Sequence, residues 1–286
     1  MMLIKKLTVC TLALLAAAGA ARAQGAAALL VPGDPGTLSL GLTHEIPGRY
    51  EVLDAKVAGG LWAPGSAGNT FLGAKVGLRL TPALVLRLDG KYFSDKPYEI
   101  TNAQGSVTGS YSPSDMFFSL GGSFRITEQL SLGLDARVIS SSLAPSAKAT
   151  GFCGDIHASY GTDRFTAVLS ARNLGPGLDY GNGASPLPSL VSVSGSVSPA
   201  DALRLFLEAD YLFSGALMAG IGAEYGIAGI AFVRAGYHYG DPAKALAPYA
   251  SLGLGAAYSG FSLDLAFLTA SETLGNTLML GLGYSF

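Results

Sequence analysis

Three histidines, His44, His157 and His238, are all the imidazole this 286-residue chain has, and they bound the acid–base or metal chemistry it could perform. Asp155, His157 and Ser159 stand at alternate positions and are the residue types of a hydrolytic triad. On a strand they share one face, but same-face neighbours lie about 7 Å apart, too far for direct proton transfer. His238, in Tyr237-His238-Tyr239, sits like His157 on the polar side of its segment. No His/Cys clustering has metal-ligand spacing, and no strand–glycine loop–helix unit marks a nucleotide site. The sequence therefore predicts a non-enzyme with no catalytic residue, cofactor or metal.

Charged residues offer a second kind of chemistry. Lys75, Arg79, Arg87 and Lys91, with Asp89 among them, belong to neighbouring segments, and Glu208, Asp210, Glu224, Arg234 and Asp264 form a largely acidic group further on. Such a set could line a charged route for a solute, or it could tie an interior together through ion pairs. The interleaved signs favour the ion-pair network, because an isolated charge in a tight interior is costly.

The elements that must position these charges are strands. In 71–80 the even positions are Leu72, Ala74, Val76, Leu78 and Leu80, opposite Lys75 and Arg79; in 203–213 the apolar row Leu203, Leu205, Leu207, Ala209, Tyr211, Phe213 opposes Arg204, Glu208 and Asp210. A period of two puts each set on one face of a β-strand. Fourteen segments read this way: 51–62, 70–80, 83–94, 115–126, 129–140, 151–161, 164–174, 188–198, 202–213, 216–226, 229–240, 248–259, 261–270 and 275–286. Glycines such as Gly73, Gly121, Gly133, Gly220 and Gly222 crowd the polar face, as a narrow interior requires.

Composition selects the solvent. Only 13% of residues are charged, against about 25% in ordinary soluble domains, yet after residue 23 no apolar run is long enough for a spanning helix. Transmembrane strands in an all-β, antiparallel barrel of about 14 strands remain. Residues 1–23, with Lys5 and Lys6 before an apolar run and Ala21-Arg22-Ala23 at its end, read as a secretory signal peptide. The remainder divides into a Pro/Gly-rich lead-in or small plug, 24–50, and a barrel, 51–286. Without the leader, fifteen Lys and Arg face twenty Asp and Glu, and Cys153 is the one cysteine left, so neither a nucleic-acid partner nor an internal disulfide is expected.

Connections alternate between short turns (81–82, 127–128, 162–163) and longer loops (63–69, 95–114, 141–150, 175–187), which predicts an outer-membrane barrel with both termini periplasmic. Tyr92, Tyr211, Tyr258 and Phe261 near strand ends fit interfacial girdles. The closing strand ends Leu282-Gly283-Tyr284-Ser285-Phe286; Tyr284 and Phe286 read as the aromatic signal for the barrel assembly machinery, with outer-membrane lipid around the apolar face.

The sharpest local motif is Arg172-Asn173-Leu174-Gly175-Pro176-Gly177, followed by Leu187-Pro188. Gly-Pro-Gly ends a strand, and Asn173 can bond its own backbone to begin a turn. The motif resembles the "N-L-G…L-P" signature of the PorV/PorQ family. Gly222-Ala223-Glu224-Tyr225 and Val233-Arg234-Ala235-Gly236-Tyr237 resemble that family's "G-x-E-Y" and "R-x-G-Y" strands. The resemblance implies a FadL-like, fourteen-stranded outer-membrane barrel of the type IX secretion system. It further implies secretion-system subunits as partners, and secreted cargo bound by its C-terminal domain and handed over at the cell surface. The alternatives are a FadL-like transporter of hydrophobic small molecules and a non-catalytic envelope scaffold.

Overall fold

A computed structural model describes residues 27–47, 51–62, 68–181, 183–241, 244–270 and 275–286; the predicted signal peptide lies outside them. Eighteen strands follow in chain order: β1 (Leu53–Trp62), β2 (Asn69–Arg79), β3 (Leu84–Ser94), β4 (Tyr98–Thr101), β5 (Val107–Tyr111), β6 (Ser114–Arg125), β7 (Leu130–Ala144), β8 (Ala147–Gly161), β9 (Phe165–Leu174), β10 (Leu178–Asp179), β11 (Ala184–Ser185), β12 (Leu190–Ala200), β13 (Leu203–Leu212), β14 (Leu217–Ile227), β15 (Ala231–Gly240), β16 (Tyr249–Tyr258), β17 (Phe261–Ala270) and β18 (Thr277–Ser285). Fourteen of them form one closed antiparallel barrel, sealed where β1 pairs with β18 on one side and β2 on the other. Closure pairs every strand twice and leaves no edge, the condition for crossing hydrocarbon with strands.

Each barrel strand obeys the two-residue period. Leu72, Leu120, Leu134, Phe152, Leu207, Ile221, Leu252 and Leu280 point outward and are exposed, while Phe71, Ser119, Arg137, Glu208 and Asp264 point inward and are buried. Among the charged residues of the fourteen strands, Lys148 alone takes the outward parity, and it lies near the tip of the β7–β8 hairpin. The outside is thus an apolar belt with lipid as its natural solvent. Tyr258, Phe261, Tyr284 and Phe286 lie at the end of the barrel that carries the short turns, and the last three rings meet, Phe261 to Tyr284 at 4.8 Å and Tyr284 to Phe286 at 5.9 Å between centroids.

Three loops differ from what their spacing predicts. Residues 141–150, expected as a long loop, instead extend β7 and β8 to fifteen residues each. Residues 95–114 carry the β4–β5 hairpin and 175–187 the short β10–β11 pair. These stretches rise beyond the apolar belt, where no face has to be apolar, so the alternation that marks the wall strands fades there.

A chain segment occupies part of the lumen. The N-terminal segment 27–47, a 3-10 turn (Ala27–Leu30) and a single helical turn α1 (Pro35–Leu38), is almost wholly buried inside the barrel. Asp34 caps α1: its carboxylate accepts from the Thr37 backbone N–H and hydroxyl, each at 3.0 Å, and Pro35 takes the first helical position, where no N–H is needed.

Candidate functional site in the plugged lumen

Four sets of contacts hold the inserted segment. Backbone fit comes first. Residues Ser39–Leu42 lie against a track of inward glycines on β14, β15 and β16. A Cβ on Gly220 would fall 2.4 Å from the Gly41 carbonyl oxygen, and one on Gly222 would fall 2.4 Å from that of Leu40. One on Gly236 would fall 2.2 Å from the Leu40 carbonyl carbon, and one on Gly253 would strike the Ser39 side chain at 2.5 Å. Gly41 itself has φ +72° and lies flat on the Tyr237 backbone, a conformation and an approach open to glycine. Gly236, singled out by family resemblance, is thus part of this seat.

Charge comes second. Asp34 lies 3.3 Å from Lys56 Nζ and 3.9 Å from Lys75 Nζ, and Lys75 also pairs with Glu45 at 2.5 Å. Burial opposes the charged form of Asp34, but Lys75, Lys56 and the Thr37 donors outweigh it and hold the carboxyl below the usual carboxylate range. Lys91 donates to the Val31 carbonyl oxygen at 2.9 Å.

Third is a buried polar knot between the segment and β13. Thr43 donates its backbone N–H to Glu208 Oε1 at 2.8 Å, and its hydroxyl lies 2.7 Å from the same oxygen and 3.0 Å from Asp210 Oδ2. His44 Nδ1 lies 2.9 Å from Glu208 Oε2, and its Nε2 faces Ser192 Oγ at 3.2 Å and Ser194 Oγ at 3.3 Å.

Fourth is apolar. Leu29, Leu30, Val31 and Leu38 join Trp62, Phe71, Phe93, Phe117, Tyr249 and Met279 in one buried cluster, roofed by Leu178, Leu187 and Leu246 from the loops. All the wall members of this set lie at the loop end of their strands. Toward the turn end the lumen opens into a cavity of about 350 Å³, lined by Asp34, Lys56, Lys75, Arg87, Asp89, Lys91, Asp135, Arg172 and Asp264 among others. The interior is therefore apolar under the loops and densely charged toward the turns.

The structure divides the predicted charge set. Arg234 bridges Glu224 and Asp264 at 2.6 Å each, and Arg87 pairs with Asp135 at 2.9 Å. Glu208 and Asp210, grouped by sequence with Glu224, Arg234 and Asp264, face the inserted segment instead. Arg79 has the inward parity but stands exposed at the turn end of β2. Asp34, His44, Lys56, Asp135, Arg137, Asp155 and Arg172 also lie in the interior and were not in the predicted set. For Asp34 a signal existed, since Asp-Pro-x-Thr is a helix-start pattern. For His44 none did: its partners are more than 140 residues away in sequence.

Asn173 does not bond its own backbone. It sits at φ +54° in a bulge where Gly154 pairs with Leu174 but Ile156 pairs with Ala171. Its backbone N–H donates to Asp155 Oδ1 at 2.7 Å, and its side-chain amide bridges Arg137 (2.8 Å) and the Pro188 carbonyl oxygen (3.1 Å). Arg137 in turn holds Asp155 at 3.0 Å and Ser119 at 2.8 Å. A Cβ on Gly175 would strike the Phe152 carbonyl, and one on Gly177 that of Ser185. The motif is a joint that fastens the loop's return to the wall. Leu174, Tyr225 and Tyr237 from the resemblance face outward and are exposed.

The sequence matches no family model and no curated protein. Among solved structures the chain is similar to the CymD monoaromatic hydrocarbon channel, with 15% identity, a TM-score of 0.59 and 94% of each chain covered. It is also similar to the Pseudomonas putida toluene transporter TodX, with 13% identity and a TM-score of 0.53 over 93% of this chain and 94% of that one. A Pseudomonas aeruginosa FadL homologue gives 13% identity and 0.51 over 94% and 98%. The fold is that of FadL-like outer-membrane channels. With it come the closed fourteen-stranded wall and the apolar belt described above.

Proposed function

We propose that this protein is an outer-membrane channel for hydrophobic small molecules, with the N-terminal segment as its internal closure. The observation that carries the reading is the apolar cluster under the loops, where Leu29, Leu30 and Val31 of the inserted segment pack with Trp62, Phe71, Phe93 and Phe117 of the wall. An apolar solute entering from the loop end would compete with those three side chains for the same aromatic surface. Aromatic and aliphatic walls suit such a solute, and the similarity to hydrocarbon channels supports this reading. The work is binding and passage without bond chemistry. Outer-membrane lipid would surround the belt, the assembly machinery would insert the chain through its Tyr284–Phe286 end, and both termini would be periplasmic. The test is uptake of labelled toluene and of a labelled long-chain fatty acid by deletion and complemented cells. Uptake of either that falls on deletion and returns with the gene supports the channel; equal uptake of both in all strains overturns it.

A second reading is carried by the ordered motifs around Asn173, Glu224–Tyr225 and Arg234–Tyr237: PorV/PorQ-type handover of type IX secretion cargo. Crosslinking in intact outer membrane would then recover secreted proteins with C-terminal sorting domains. Normal secretion in a deletion strain, with no cargo recovered, would exclude it. Asn173, Glu224 and Arg234 are committed to interior contacts, so on either reading their first role is architectural.

A further inference from the structure

We propose that His44, Glu208 and Asp210 bind one first-row divalent cation, of which zinc is the representative, bridging the inserted segment to β13. One ligand atom from each residue lies within 4.8 Å of the others, and all three residues are buried. The spacing of His44 Nδ1 and Glu208 Oε2, 2.9 Å, is close to the edge of about 3.0–3.5 Å that metal–ligand bonds near 2.1 Å produce. One imidazole and two carboxylates are a donor set that zinc and its neighbours accept.

Two further observations point to a bound cation. Asp210 Oδ1 is buried without a hydrogen-bond donor although the residue is only 2% exposed, and the one donor facing Glu208 Oε2 is His44 Nδ1. Thr43 has one hydroxyl proton for oxygens on both carboxylates, so donors are short where acceptors are plentiful. His44 can contribute at most one positive charge against two carboxylates. A divalent ion supplies what is missing, because buried charge has to be balanced.

The outer shell agrees. With Nδ1 on the metal, the His44 Nε2–H would donate to Ser192 or Ser194, which lie at 3.2 and 3.3 Å. Metal-bound histidines are usually fixed by such a second hydrogen bond. Because His44 belongs to the segment and the carboxylates to the wall, the ion would tie the one to the other. The site is independent of whatever solute the channel passes.

The test uses the full mature chain, purified without a histidine tag in detergent, stripped with chelator and then titrated with zinc. The wild type should retain one zinc per folded chain, with one nitrogen and several oxygen ligands by X-ray absorption. His44→Ala and Asp210→Asn should weaken binding roughly 10-fold or more, and Ser192→Ala should do so more mildly. Folding of each variant is checked by heat-modifiable gel migration and Trp62 fluorescence. A folded wild type that holds no zinc, or folded variants that hold it as tightly, overturns the proposal. Should His44→Ala and Asp210→Asn fail to fold, Ser192→Ala and the wild-type absorption spectrum decide it.

Discussion

The Asn173 side chain joins a charge, a carbonyl and a left-handed backbone in one residue, and these contributions separate by substitution. Asn173→Gly keeps the backbone at φ +54° but removes the amide that Arg137 and Pro188 share. Loss of a partner to a buried guanidinium costs about 1–3 kcal/mol. Asn173→Ala removes the amide and adds left-handed strain, a further loss of about 1–2 kcal/mol. Urea unfolding followed through Trp62, the chain's one tryptophan, should rank wild type above Gly and Gly above Ala. Asp34 makes a prediction about pH. Its carboxyl is held below the ordinary 3.8, so its contribution to seating the segment is complete at neutral pH. That contribution fades as pH falls below about 4, where the carboxyl of a released segment takes up a proton that the seated one still resists. Planar-bilayer conductance of the wild type should be low at pH 7 and rise on acidification below that value. Asp34→Asn keeps the helix cap, loses both lysine pairs, and should conduct at pH 7 without the acid step.

Among elements, the segment and the glycine track are one unit made of two parts of the chain. The glycines permit contact of backbone with backbone, so any β-branched side chain on the track must displace residues 39–42. Gly222→Val and Gly236→Val should each destabilise the closed state by about 1–3 kcal/mol through overpacking. The wall keeps its own ladder of hydrogen bonds in both variants. The expected result is raised conductance with unchanged gel migration of the folded barrel. Equal conductance to wild type would show that the segment does not close the lumen. Sequence reading finds glycine on the polar face and explains it by a narrow interior; the structure gives the specific cause, a chain segment lying on it.

For the whole molecule, the exposed apolar belt makes lipid the solvent of the barrel wall. Leu134 on β7 and Leu207 on β13, four strands apart in the wall, are 64% and 62% exposed. An arginine at either should cost about 2–4 kcal/mol if the position lies near the bilayer midplane. Reversible unfolding from lipid vesicles measures that loss, and the same substitution at exposed Val107 in the β4–β5 hairpin should change stability by no more than about 0.5 kcal/mol. Matching losses at all three positions would show that the belt does not lie in hydrocarbon.

The wall was legible in the residues because a strand in lipid must alternate: each outward side chain meets hydrocarbon and each inward one meets the lumen. That rule is local, so fourteen strands, their faces and most of their boundaries follow from spacing alone. It weakens where β7 and β8 rise beyond the belt, and there the sequence reading placed a loop. The interior obeys no local rule. His44 meets Glu208 and Ser192, Gly41 meets Tyr237, and Leu30 meets Phe93's cluster because barrel closure brings distant strands around one segment. Residue types and period determined the barrel; only closure in three dimensions decided what fills it, which charges pair, and where a cation could sit.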